Sequence, residues 1–286
     1  MSRSRGRASD LEAPWRGVRA VVSSSSTTLA KCAAYSARMP PGQFFSHATA
    51  AIIYGIPLPY RVEQDARLHV ATMFGDQPPR ARGVVGHRLR GSHPIARRQN
   101  LPVCTAEQAW LQLATQLPVD DLIVAGDFLL RRKRPISTLE ALALAIESGG
   151  SRAGITRARA AIRDVRAGTD SPMESRLRIL LIRSGLPEPI IGFTVTNRDG
   201  DFVGTPDLAY VRERIAIEYQ GQIHQSNPQV FAEDVERREL FEAAGWHVIL
   251  VFKDHLNKRP HWVVTRVSGA LSDRASLQPI GQSGAQ

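Results

Sequence analysis

Asp207, Glu218, Gln220 and His224 crowd one short stretch of this 286-residue chain, Pro206 to His224, which reads PDLAYVRERIAIEYQGQIH. Its two runs, Leu208 to Val211 and Ile215 to Tyr219, alternate around the charged turn Arg212-Glu213-Arg214, the pattern of a β-hairpin. In the second run Ile215, Ile217 and Tyr219 share one face, so Ala216, Glu218 and Gln220 share the other. An antiparallel register closed by that turn sets Asp207 opposite Glu218–Gln220. An apolar strand has no packing reason to carry such groups. Asp207 and Glu218 are therefore expected to be ligands of a hard divalent cation, Mg²⁺ or Mn²⁺, with the Tyr219 carbonyl beside them. Gln220 can orient a water but cannot deprotonate it. His224, past Gly221, has the chemistry of a general base or of a leaving-group partner. Arg214 or a metal would balance Glu218.

The elements that must hold these residues follow from the flanking pattern. Ser171-Pro172-Met173-Glu174 starts a helix with Ser at the N-cap and Pro at N1, and Met173, Leu177, Leu180 and Leu181 form its apolar stripe. Glu174 has two readings of near-equal weight: it completes a capping box with Ser171, or it supports the metal through water. Ile190 to Val195 is expected as one strand, Asn197-Arg198-Asp199-Gly200 as a turn into Phe202-Val203, and the hairpin follows. A helix from Asn227-Pro228 to Ala244 and a final strand, His247 to Phe252, close the unit. The helical crossover implies that this last strand lies parallel to Ile215–Tyr219. On the crossover helix Asp234 and Arg237 are spaced for an i,i+3 ion pair, with Arg237 or Arg238 on phosphate as the sharper reading.

Upstream, helices are expected near 28–39, 46–55, 105–118, 120–130, 138–148 and 152–166, with strands at Arg67–Thr72 and Gly83–Leu89. Ser46 and His47 read as a helix start and not as a catalytic pair. Ala167–Asp170 is the boundary between two domains. Residues 1–25 read as disordered or as a truncated wing, and 273–286 as a disordered tail.

Composition bounds the partners. A formal charge of +10, carried mostly by Arg, suits a polyanion; a GC-rich genome would give the same bias without one. Cys32 and Cys104 make neither a disulfide framework nor a metal spacing, and no apolar run reaches membrane-spanning length. A reduced, cytoplasmic protein away from membranes is the expectation. No Walker motif, dinucleotide fingerprint, CxxC or HExxH is present.

Glu174, Pro206-Asp207 and Glu218-Tyr219-Gln220 together resemble the PD-(D/E)XK nuclease core, in which a Glu-bearing helix precedes a hairpin carrying Asp and Glu-x-Lys. SPMESRLRILLIRSGLPEP, GTPDLAYVRERIAIEYQGQIHQ, Asp234 with Arg237-Arg238, and EAAGWHVILV are similar to the DUF559 family, itself Vsr-like, over roughly residues 171–255. PPGQFFSHATAAIIYGIPLP, GVVGHR, LPVCTAEQAWLQLA and DDLIVAGDFLLRR resemble an AbiEi-type antitoxin region, of whose usual winged helix-turn-helix only the end of the wing is matched. The resemblance implies an α/β fold: a restriction-endonuclease-like mixed sheet flanked by helices at 169–272, preceded by a mainly α-helical (α+β) domain at 26–168. It implies a metal-dependent DNA endonuclease of Vsr-like type, in repair or phage defence. In that reading Asp207 and Glu218 hold the ion, Glu174 supports it, Gln220 positions water, His224 transfers protons, and Arg237 and Arg238 meet DNA. Gln220 departs from the pattern, since lysine is usual there and Asp-Gly is commoner than Gln220-Gly221 in the family. The alternative is a non-catalytic, DNA-binding antitoxin-like regulator of a type IV toxin–antitoxin system, with a toxin protein as partner; a pure protein-interaction module is the third. Geometry separates the first two. If the Asp207 and Glu218 carboxylates lie far apart, or one of them points into a salt bridge, the enzyme reading fails.

Overall fold

The computed structural model describes residues 11–12, 15, 18, 20–21, 27–73, 75–90, 94–221 and 228–276, with 11–12, 20–21 and 228–234 described by their backbone alone. The chain divides into two compact units, Met1–Leu130 with Arg134–Arg166, and Arg131–Lys133 with Ala167–Gln286.

In the first unit β1 (Leu11–Glu12) and β2 (Ala20–Val21) pair antiparallel, inside the stretch expected to be disordered or a truncated wing. Then come α1 (Thr28–Ser36), β3 (Phe44–Phe45), α2 (His47–Tyr54), α3 (Tyr60–Glu63), β4 (Leu68–Met73), β5 (Val84–Leu89), β6 (Ile95–Arg98) and β7 (Leu101–Cys104). Four helices follow, α4 (Ala106–Leu113), α5 (Val119–Leu129), α6 (Leu139–Gly149) and α7 (Ile155–Ile162). The sheet runs β5-β4-β3-β7-β6, with β3–β4 and β6–β7 antiparallel and β4–β5 and β3–β7 parallel. Helix starts follow the capping logic of the sequence: Thr27, Thr105 and Thr138 each accept a backbone N–H from the first turn of α1, α4 and α6. Phe44, Phe45, Val70 and Val103 of the sheet are fully buried, as are Trp110, Leu113, Leu122 and Ile123 of α4 and α5. The Trp110 indole N–H donates to the Leu122 carbonyl at 2.9 Å, so the largest core side chain carries no unpaired polar atom. Cys32 and Cys104 are both buried free thiols, and burial pushes the Cys32 thiol up to about 12.

In the second unit α8 (Pro172–Arg183) leads into β8 (Ile190–Ile191), β9 (Val195–Thr196), β10 (Phe202–Gly204), β11 (Leu208–Tyr210) and β12 (Ile215–Gln220). Then follow α9 (Pro228–Ala243), β13 (His247–Phe252), α10 (Lys253–Lys258) and α11 (Pro260–Ser276). The sheet order is β13-β12-β11-β8, with β12–β13 parallel, as a helical crossover requires, and the other pairs antiparallel. Alternation sorts the two faces. Ile215, Ile217 and Leu208 pack with Leu177 and Leu181 of α8 and with Val263 and Val267 of α11. Ala209, Ala216 and Val248 face the other way, against Phe241 of α9 and Trp246. Each fully buried Leu or Ile contributes about 1.5–3 kcal/mol to that sandwich. Small residues at 209 and 216 admit the Phe241 ring.

The fold is mixed α/β, its sheets flanked by helices, as the sequence leads one to expect. Two local expectations change. The single strand expected at Ile190–Val195 is broken: Gly192 adopts φ 66° and sends β8 into the main sheet and β9 into a separate ladder with β10. The helix α11 continues to Ser276, so residues 273–276 are helical and not part of a disordered tail.

Candidate functional site

The hairpin register puts Leu208 opposite Ile217, so the residue before the one and after the other, Asp207 and Glu218, meet at the open end of β11 and β12. Glu218 lies on the α9 face, where Arg237 reaches it. Asp207 is partly buried, and its Oδ2 accepts the Tyr219 backbone N–H at 2.7 Å. Glu218 is buried, and its Oε1 receives the guanidinium of Arg237 from α9, with Nε at 2.9 Å and Nη2 at 2.8 Å. Arg237 also donates to the Thr205 carbonyl at 2.9 Å and lies over the Phe241 ring. Its side chain is 42% exposed.

Glu174 reaches the same place from the N-terminus of α8. Ser171 caps that helix by accepting the Glu174 N–H at 3.2 Å, but the return bond of a capping box is not made to Ser171. Glu174 Oε2 instead accepts the Asp170 N–H at 2.8 Å. Asp170 is in turn ion-paired with Arg132. Glu174 and Glu218 both lie near enough to act on Asp207 electrostatically. Desolvation lifts the Asp207 carboxyl most, and the negative charge of Glu174 and then of Glu218 adds to it, bringing its pKa up to about 7 against the pull of the Tyr219 N–H. Burial also raises Glu174. A carboxyl held near neutrality by burial and by like charges marks a place built for a cation or for proton exchange.

The remaining residues singled out in the sequence are distributed as follows. Gln220, the last residue of β12, is partly buried on the same face. His224 lies outside the described residues, as does the side chain of Asp234. Arg238 forms an exposed i,i+4 pair with Glu242 at 2.7 Å. Arg214, one of the two partners foreseen for Glu218, sits in the turn at φ 51° with its carbonyl bonded to the His247 N–H. Arg237 takes the partner role instead, a contact between strand and crossover helix that sequence spacing does not reveal.

The donor set suits a hard ion, since carboxylate oxygens and a nearby strand carbonyl are what Mg²⁺ and Mn²⁺ prefer. Among the described residues, however, the group of three potential ligands gathered within 4.8 Å of one another is elsewhere, at His47, His69 and His87. Nothing in the sequence joins these three, because the strand pairing that unites them is non-local.

No family model matches this chain, and no solved structure matches it. Two relatives from Mycobacterium tuberculosis, the uncharacterized proteins MT2308 (strain CDC 1551 / Oshkosh) and Rv2248 (strain ATCC 25618 / H37Rv), are each 27% identical over 234 residues. The similarity covers 80% of this chain and 81% of theirs, so it spans both units. Among the described residues no helix is long and apolar enough to cross a membrane.

Proposed function

We propose that the C-terminal unit is a Mg²⁺- or Mn²⁺-dependent DNA endonuclease of the Vsr-like, PD-(D/E)XK type, with DNA repair or phage defence as its setting. The observation that carries this reading is the Asp207 carboxyl, lifted to about 7 beside Glu174 and Glu218. Burial and the charges of Glu174 and Glu218 raise the cost of ionising Asp207, and a divalent ion would relieve that cost. Asp207 and Glu218 would hold the ion, which supplies a more acidic bound water and charge neutralisation at the phosphate. Glu174 braces the site from α8. Gln220 orients water from the end of β12, and His224, assigned from the sequence alone, transfers the proton. Arg238, whose exposed pair with Glu242 contributes little, can turn to a DNA phosphate. The basic charge of the chain favours the same partner.

The Arg237–Glu218 ion pair is the feature that counts for the alternative, a non-catalytic DNA-binding, antitoxin-like regulator. Gln220 at the lysine position favours it too. By the geometric criterion set above, the ion pair weighs against the enzyme; the buried Glu218 carboxylate holds a cation that is 42% exposed, and a divalent ion on Asp207 and Glu218 would have to displace it. Experiment separates the two readings. Nicking of supercoiled plasmid by the full chain, with Mg²⁺ and with chelator, tests the proposal. Metal-dependent nicking lost in Asp207→Ala supports the enzyme. DNA binding without nicking in the wild type, or nicking unchanged in Asp207→Ala, supports the regulator or removes Asp207 from the chemistry.

A further inference from the structure

The three imidazoles of the N-terminal unit are contributed by three elements that the sheet brings together. Strands β4 and β5 run parallel with His69 opposite Val85 and Ala71 opposite His87, so His69 and His87 are diagonal neighbours on one face. His69 Nδ1 lies 2.9 Å from His87 Nε2. His47, the first residue of α2, completes the set: its ring stacks on His87 with centroids 3.8 Å apart. All three offer a ligand nitrogen within 4.8 Å of the others.

Several features around the cluster are costly to a purely structural layer. His47 has φ 50°, a left-handed conformation disfavoured for a residue with a side chain, yet it is held there by its N–H donating to Gln112 Oε1 at 2.7 Å. Its Nδ1 is engaged by Ser46 Oγ at 3.0 Å, which leaves Nε2 as the ring's available donor atom, the way an outer hydroxyl orients a metal-binding histidine. Gln112 Nε2 is buried without a hydrogen-bond partner among the described residues. Burial holds all three rings toward the neutral form, with histidine repulsion adding at His47 and His87 and the Arg67 charge at His69: His47 lies well below the ordinary histidine value, His69 below it, and His87 down to about 4. Neutral imidazole is the form that binds metal.

We propose that His47, His69 and His87 form a divalent transition-metal site, of which zinc is the fitting ion, with its fourth position open to an adjoining cavity that takes an anionic ligand. Zinc accepts three imidazole nitrogens and keeps an exchangeable position in such sites. Zn–N bonds of about 2.0–2.1 Å in a tetrahedron separate the nitrogens by roughly 3.3 Å; the rings lie within 12–29° of parallel, so they must turn on closing for their in-plane lone pairs to meet at the ion. The cavity, about 330 Å³, is bordered by His47 and His87 on one side and by Gln112, Arg88, Arg90 and Arg152 around it. Leu89 and Leu111 line it as well, and Arg88 donates to Gln77 Oε1 and Arg152 to Gln108 Oε1 and the Arg90 carbonyl, so an anion there would exchange those contacts for its own.

Zinc titration of the chelator-stripped full chain tests this. It is carried out in the Asp207→Ala background, so that the carboxylate cluster of the other unit does not contribute. One zinc per chain is expected, weakened at least about 100-fold by His87→Ala and about 10-fold by Ser46→Ala. Absence of zinc binding by the folded chain, or binding unchanged by His87→Ala, overturns the site. If His87→Ala does not fold, X-ray absorption of the zinc-loaded His87-intact chain still decides: a shell with three imidazoles supports the site and a shell without them overturns it. For the open position, Co²⁺ replaces zinc and inorganic phosphate is added. A visible spectrum shifted by phosphate, less so in Arg88→Ala, supports the anionic ligand, and a spectrum that phosphate leaves unmoved overturns it.

Discussion

Replacing Asp207 by Asn probes the carboxylate cluster through stability alone. The Asp207 carboxyl is lifted from 3.8 to about 7 in the fold, about three pH units, and each unit corresponds to about 1.4 kcal/mol, an upper bound of roughly 4 kcal/mol. Residual solvent around a partly buried group reduces this to about 2–4 kcal/mol. The sign follows from proton counting. Between about pH 4 and pH 7 the folded chain keeps a proton that the unfolded chain has lost, so stability falls as pH rises through that window, and above it the whole cost is present. Asn carries no such cost, and its Oδ1 can still accept the Tyr219 N–H. The advantage of Asp207→Asn over wild type should therefore grow from near zero at about pH 4 to about 2–4 kcal/mol at about pH 8, with chelator present. Hydrogen exchange of the β12 amides in the full chain reads this unit separately from the other. An advantage that does not change with pH, or an Asn variant less stable than wild type at about pH 8, would refute the reasoning. Adding Mg²⁺ should restore the wild type toward the variant and leave the variant where it is.

Three other substitutions have defined outcomes. Arg237→Gln removes the cation that competes for Glu218, so Mg²⁺ should bind about fivefold more tightly, the equivalent of about 1 kcal/mol; calorimetry showing unchanged affinity would mean that the ion pair does not guard the site. His224→Ala should slow plasmid nicking by about 100-fold while gel-shift affinity for DNA persists. Gly86→Ala on β5 should destabilise the N-terminal unit by at least about 1–3 kcal/mol, because a Cβ there would stand 2.2 Å from the Pro79 carbonyl oxygen, a backbone atom that cannot swing aside; an unchanged melting temperature would contradict the close approach.

How far the sequence led depends on whether a feature is local. The alternation of Ile215–Tyr219 and the turn at Arg212–Arg214 defined the hairpin, its faces and the meeting of Asp207 with Glu218, since all of these follow from a period of two. The break at Gly192 is not legible, because an isolated glycine in an apolar run gives no sign of its φ. Helix α11 is legible in the helical spacing of Val263, Val267 and Ala270, beyond the nuclease-like pattern that ends near residue 255. Arg237 on Glu218 and the union of His47, His69 and His87 were not legible. Each depends on which distant elements pack together. In particular, the parallel pairing of β4 with β5 is invisible in a sequence where the two histidines stand 18 residues apart.

The most direct test of the carboxylate site as a divalent-ion centre is the Asp207 side-chain carboxyl itself, followed by carbon NMR across pH in the selectively labelled full chain. The predicted titration midpoint is about 7 with chelator, displaced downward when Mg²⁺ is added. A midpoint near the ordinary aspartate value of about 4, unmoved by Mg²⁺, would contradict the account.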